Sequence, residues 1–298
     1  MYLKKIVIAL LKYLALVVVY LVLFNATSGL VPTGLTWNPP APLLPAIFLG
    51  ILLVAAVNTG VISLVVVRSR WGGWRLFAAT AIAWYGVMTV MSQIETAWFG
   101  PALGVPYSVP VAIALNAVPL VLLFTAAAVW AWGKARSPAL VFGAPERLPL
   151  TPGEWAAKLA LIAPLYLALY FGFGAVVAWQ NPALRAMYGN GADPVVFNSA
   201  FLIPLQVARS ALWVLFAVPV IRMTRGPLWQ AALLVGLLYA LPMNIGHAIP
   251  NPIMPDATVR LSHFIETATS NFIFGLAVAW LLAWRPSRRL EGALAHSG

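Results

Sequence analysis

Cysteine is absent from this chain of 298 residues. That excludes disulfides, thiolate metal centres, iron–sulfur clusters and cysteine nucleophiles. Charge is also scarce. Asp, Glu, Lys and Arg together make up 8% of the residues, and only 7 of them are acidic against 18 basic ones. A soluble domain carries about 25% charged residues, so a soluble globular class is excluded. Several catalytic signatures are missing too: there is no Gly-x-Ser-x-Gly elbow, no Walker loop, no His-Glu-x-x-His and no retinal-type lysine in the last apolar run.

What fills the chain is apolar, at 62% of residues and a mean hydropathy of +0.91. Eight runs near the ~20 residues that a membrane-crossing helix needs lie at about 6–26, 43–67, 74–98, 109–133, 155–180, 198–221, 228–249 and 262–284. The expected fold is all-α, a polytopic membrane protein with about eight transmembrane helices forming a single transmembrane domain over 1–298. The loop 134–154 is the natural divide between two four-helix halves, 1–133 and 155–290. Thr151-Pro152-Gly153-Glu154 then reads as a helix start: a capping residue, a first-turn proline and an early acid. Lys4 and Lys5 before an apolar stretch suggest a signal peptide, but the stretch runs to Phe24, longer than a signal core, so a retained first helix is expected.

The net charge of +11 points to nucleic acid until its distribution is examined. With eight spans and the N-terminus inside, the inner connections hold Lys4, Lys5, Lys12, Arg68, Arg70, Arg75, Lys134, Arg136, Arg147, Lys158, Arg222, Arg225, Arg285, Arg288 and Arg289. The outer side holds Arg185 and Arg260, and Arg209 falls within the sixth span. This asymmetry follows the positive-inside rule. It places both termini in the cytoplasm and the loops 27–42, 99–108, 181–197 and 250–261 outside. The expected setting is a bacterial inner membrane, with the lipid bilayer and anionic headgroups at the cytoplasmic face as partners and no nucleic acid. The sequence identifies no protein partner and requires no cofactor.

Two glutamates lie inside the apolar spans, Glu95 and Glu266, each within the tetrapeptide Ile-Glu-Thr-Ala. A carboxylate in a membrane helix is costly and marks a functional site by default. The twin motif is not the trace of a duplicated half, because the third and eighth spans run in opposite directions and an inverted repeat would send one glutamate to the inner side. Rise along the helix, at ~1.5 Å per residue, puts Glu95 about 30 Å beyond Arg75, Glu266 about 28 Å from Arg285 and His247 about 30 Å from Pro227. Arg209 lies about 20 Å and Gln206 about 24 Å beyond Arg222.

These residues fall in one slab, and each belongs to a polar stripe: Thr89, Ser92, Gln93 and Thr96 beside Glu95; Gln206, Arg209 and Ser210; Asn244 and His247; His263, Glu266, Thr267, Ser270 and Asn271. Lipid would not tolerate four such stripes, so they are expected to face one another across an outward-opening pocket among the third, sixth, seventh and eighth spans. Its candidate binding residues are Gln93, Glu95, Gln206, Arg209, Asn244, His247, His263, Glu266, Ser270 and Asn271. The proline-rich stretch Pro250-Asn251-Pro252-Ile253-Met254-Pro255 is expected to form a stiff cap over it, and Tyr188–Pro194 a flexible outer loop.

Three functions fit such a pocket. It binds or transports a small or lipidic substrate at the outer leaflet. Alternatively, it is an intramembrane hydrolase or protease, with Glu95 or Glu266 as general base and His247 or His263 as acid or oxyanion partner. His263 and Glu266, three residues apart, with His247 and Glu95, are also the candidate ligands of a divalent metal. Or the cluster only fixes helix packing in an accessory subunit, Arg209 being neutralised by a glutamate. Leu237-Leu238-Tyr239-Ala240 leading to His247, and Asn271, are similar to later motifs of the glutamate-dependent intramembrane proteases that process prenylated substrates. That family's paired glutamates and following arginine are absent, with Arg209-Ser210 standing in the sixth span instead, so no residue role is carried over.

Overall fold

The computed structural model describes residues 2–136, 148, 150–189 and 198–284. Those residues form eight helices long and apolar enough to cross a membrane, and no strand; one isolated antiparallel bridge joins Ser69 to Thr224. The spans are α1 (Tyr2–Thr27), α2 (Leu44–Arg68), α3 (Gly73–Tyr85) continued by α4 (Met91–Phe99), α5 (Ser108–Ala131), α6 (Pro152–Val176), α8 (Ser199–Met223), α9 (Leu228–Ala240) and α10 (Ala257–Ala283). A short amphipathic helix, α7 (Pro182–Gly189), lies between α6 and α8. Arg147, Arg285, Arg288, Arg289 and the loop from Asn190 to Pro194 lie outside the described residues.

One buried core joins both halves of the chain, from Leu16 and Tyr20 in α1 to Phe274 and Leu282 in α10. Small residues let the helices approach closely. A Cβ built on Gly275 would stand 2.8 Å from the Cα of Gly236, so α9 and α10 cross at backbone contact. At the basic end, the α2–α3 and α8–α9 connections are tied together: Arg70 Nε donates to Arg222 O (2.9 Å), and Arg225 N to Arg68 O (2.8 Å).

Two departures from regular helix shape the opposite end. Gly86–Val90, between α3 and α4, forms a wide π turn. Gly86 permits it, since a Cβ there would fall 2.3 Å from the Phe216 ring of α8. One extra residue in a turn rotates everything beyond it by about 100°. The seventh span, expected to be helical from 228 to 249, instead stops at Ala240. Pro242 cannot donate to the carbonyl of the preceding turn, and the chain re-forms as a tight 3₁₀ segment, Asn244–Ala248. Asn244 Nδ2 donates to Ala240 O (2.8 Å) and thereby satisfies one of the carbonyls that the break exposes.

Candidate functional site

A cavity of about 470 Å³ occupies the end of the bundle away from the basic connections. Gln93, Glu95, Arg209, Asn244, His247, His263, Glu266, Ser270 and Asn271 all line it. Of the ten candidates read from the sequence, Gln206 alone is outside the lining. It is fully buried one turn from Arg209, and its Oε1 accepts from Arg209 Nη1 at 2.7 Å.

The third span presents Ser92, Gln93, Glu95 and Thr96 to the cavity, but Thr89 is buried elsewhere, within the π turn. The expected stripe assumed an unbroken α-helix, and the wide turn rotates Thr89 out of register with the residues beyond it. Ser210 also faces away, donating to Val207 O at 2.7 Å. Asn244 and His247 reach the same wall although their segment is not α-helical, because a 3₁₀ turn of about three residues places i and i+3 on one side.

Arg209 is 2% exposed and Glu95 28%. Arg209 Nη1 donates to Glu95 Oε1 at 2.5 Å, and Nη2 to Met91 O at 3.3 Å. The guanidinium also lies 6.0 Å from the Tyr166 ring centroid. The positive charge is therefore answered by Glu95. Glu266 has a different environment: its Oε2 lies 3.2 Å from His263 Nδ1. The His263 and His247 rings stack at 5.7 Å with 14° between their planes. Three polar atoms of lining residues, His263 Nε2, Gln93 Oε1 and Arg209 Nε, are buried with no hydrogen-bond partner among the described residues.

The sequence reading missed an entire wall. Tyr166 and Tyr170 of α6, Trp179 in the turn after it and Tyr188 of α7 line the cavity together with Phe99. Tyr166 and Tyr170 are four residues apart and share a helix face, which was the available signal. It was weak, because aromatic pairs at that spacing are common in any apolar helix. Gly174 continues this face, and a Cβ there would lie 3.6 Å from Glu266 Oε1. Asn181 anchors the short helix, its Nδ2 donating to Ser262 Oγ of α10 at 2.9 Å. Burial pushes the Tyr188 phenol pKa up, and the Glu95 and Glu266 carboxylates push it further the same way.

The proline-rich segment covers part of the cavity through Asn251, Ile253 and Met254. It is stitched down by Asn251 Oδ1, which accepts from Ile253 N (3.1 Å) and Met254 N (2.9 Å), and by Arg260 Nη1, which donates to Met254 O (2.8 Å) and Pro255 O (2.7 Å). Asp256 caps α10, its Oδ1 accepting from Thr258 Oγ1 and Thr258 N, both at 2.7 Å, and from Val259 N at 3.3 Å. These bonds hold the Asp256 carboxyl below its ordinary value.

No three or more His, Asp or Glu side chains among the described residues come together in a way that could hold a metal ion. Glu95, His247, His263 and Glu266 share the cavity but are divided between the Arg209 pair and the histidine stack. The chain matches no family model, no curated protein and no solved structure.

Proposed function

We infer that this protein binds a small or lipidic molecule in the cavity between α4, α6, α8, the 3₁₀ segment and α10, as a receptor site or a step in transport. One observation carries the reading. A cavity of about 470 Å³ gathers both intramembrane glutamates, and three buried polar atoms of its lining residues have no partner among the described residues. A cluster that served only to fix helix packing would close around its charged groups, because leaving carboxylates on the wall of an open cavity inside the bundle is costly. The basic residues of the other end support an orientation with both termini cytoplasmic and the cavity facing outward. A bacterial inner membrane, with anionic lipid against the basic face, suits that orientation.

A second, hydrolytic reading draws on the His263–Glu266 contact. A carboxylate holding Nδ1 and leaving Nε2 unpartnered is the arrangement of a general base. The two readings differ in what the protein retains.

Native mass spectrometry of protein extracted in mild detergent tests the inference. A bound small molecule present on the wild type and lost from Glu266→Gln, the variant still melting cooperatively, is the expected outcome. A cavity empty in the wild type, together with a single cysteine at Thr267 that a water-soluble thiol reagent cannot reach, would sink it. The cysteine-free chain makes that labelling unambiguous.

A further inference from the structure

We propose that the occupant of this cavity is an organic ammonium, a primary or secondary amine carrying an apolar body; this rests on the ligand-binding reading above. The argument begins from charge. Arg209 is committed to Glu95, Gln206 and Met91 O, so Glu95 carries no unanswered charge. Glu266 touches one titratable group, His263. A doubly protonated His263 would leave a cationic N–H buried without an acceptor, since Nε2 has no partner, and it would lie stacked on a second imidazole. The neutral ring, with its proton on the Nδ1 that faces Glu266 Oε2 at 3.2 Å, avoids that cost. The lining then holds one unbalanced negative charge.

The unmet hydrogen-bonding atoms point the same way. Ser92 Oγ gives its single hydrogen to Met88 O or Thr89 O, at 2.9 and 3.1 Å. Only a donor can then face it, which fixes the Gln93 amide with Nε2 toward Ser92 Oγ (2.9 Å) and Oε1 unpartnered. The neutral His263 tautomer makes Nε2 an acceptor as well. His263 Nε2 and Gln93 Oε1 are too deeply buried to touch a ligand, but as acceptors both add negative potential beside the Glu266 carboxylate, which favours a ligand that brings positive charge. Unpartnered donors also occur on α8, among them Gln206 Nε2 and Arg209 Nε. Gln206 lies outside the lining, and Arg209 is 2% exposed behind its ion pair.

The aromatic wall completes the match. Glu266 Oε1 and Trp179 Cδ1 lie 3.6 and 3.9 Å from one point, the place a Cβ on Gly174 would occupy. The absent side chain leaves carboxylate and indole beside the same space. Trp179 and Tyr188 ring centroids are 6.1 Å apart, and Tyr188 meets Phe99 edge-on at 6.2 Å. Aromatic side chains sharing a cavity with a carboxylate favour an organic cation over a neutral or anionic ligand. A second cavity, of about 500 Å³, shares Leu103 and Ile253 with the first, and Asp256 is the one charged residue in its lining. Among the described residues, a cation approaching that way meets no lysine or arginine in the lining.

The test compares three head groups on one body: 4-phenylbutylammonium, 4-phenylbutanol and 4-phenylbutyrate. The full chain is placed in phosphatidylcholine nanodiscs, and binding is read by melting temperature and by protection of a Thr267→Cys label. The expected result is that the amine binds at least tenfold more tightly than the alcohol, that the carboxylate gives no protection, and that Glu266→Gln makes amine and alcohol equal. Equal binding of amine and alcohol to the wild type, or tighter binding of the carboxylate, overturns the inference while leaving a ligand pocket in place. Absence of protection by all three overturns it too; the pocket reading is then decided by the co-purification experiment, which does not depend on head group. The wild-type comparison needs no variant to fold.

Discussion

The two glutamates share a tetrapeptide, but substitution should separate them. In Glu95→Gln, Arg209 keeps its bonds to Gln206 and Met91 O but loses the anion that balances a cation 2% exposed. Breaking a fully buried ion pair by removing one partner costs about 3–5 kcal/mol. Here Glu95 is 28% exposed, so water screens part of the field, and the glutamine retains an acceptor in the same place. The expected loss falls to about 2–3 kcal/mol. At ~2–4 °C per kcal/mol for a chain of this size class, the apparent melting temperature should drop by about 4–12 °C. Glu266→Gln removes a charge that no cation answers, at a side chain 13% exposed, and should not lower the stability of the ligand-free protein. The assay is tryptophan-fluorescence melting of purified variants in one detergent; the chain has 13 tryptophans. Arg209→Met combined with Glu95→Gln should be less destabilised than the two singles added, with a coupling of about 0.5–3 kcal/mol. If Glu95→Gln melts with the wild type and the double variant is additive, the pair contributes nothing to the fold. The assignment of Glu95 to architecture and Glu266 to ligand then fails.

Other variants probe the framework. Gly275→Ala would press a Cβ to 2.8 Å from the Gly236 backbone, which must push α9 and α10 apart at a cost of about 1–3 kcal/mol; Gly246→Ala, with open space around it, should melt normally. Gly86→Ala places a Cβ 2.3 Å from the Phe216 ring, so it should destabilise strongly and be partly rescued by Phe216→Ala, as a thermal double-mutant cycle would reveal. Asp256 has a depressed carboxyl because it caps α10. Its stabilisation is therefore present above the ordinary aspartate value of about 4 and lost as pH falls through the lower folded value. Asp256→Ala should flatten that part of a melting-temperature profile between neutral and acid pH, and an unchanged profile would refute the cap's role.

Membrane helices are legible in a sequence because the bilayer imposes one length and one solvent on every span. The eight runs read from hydropathy agree with the eight spanning helices to within a few residues at most ends. The polar layer was legible for a related reason. Few charges enter such helices, so Glu95, Arg209 and Glu266 stood out, and counting along each helix put them at one depth. Helical phase was less secure: the stripe through Thr89 failed because nothing local announces a π turn. The break in the seventh span had a local cause, Pro242, but its consequence, a 3₁₀ segment carrying Asn244 and His247 into the cavity, depends on what packs around it. The α6 wall stayed hidden because tyrosines in an apolar helix are ordinary.

Taken alone, the amino-acid sequence determined the class of molecule, the number of spans, the charge asymmetry between the two ends and the depth of the polar residues. Each of these follows from one-dimensional quantities, apolar length and residue count at a fixed rise. Which glutamate meets Arg209 was decided only in three dimensions. Both carboxylates line one cavity and have the same neighbours in sequence, and counting along a helix carries no information about azimuth. The turn at Gly86 against Phe216 sets how α4 is rotated toward α8. The missing Cβ of Gly174 leaves Glu266 facing Trp179. Those two packing contacts give one glutamate a buried cation and leave the other its charge.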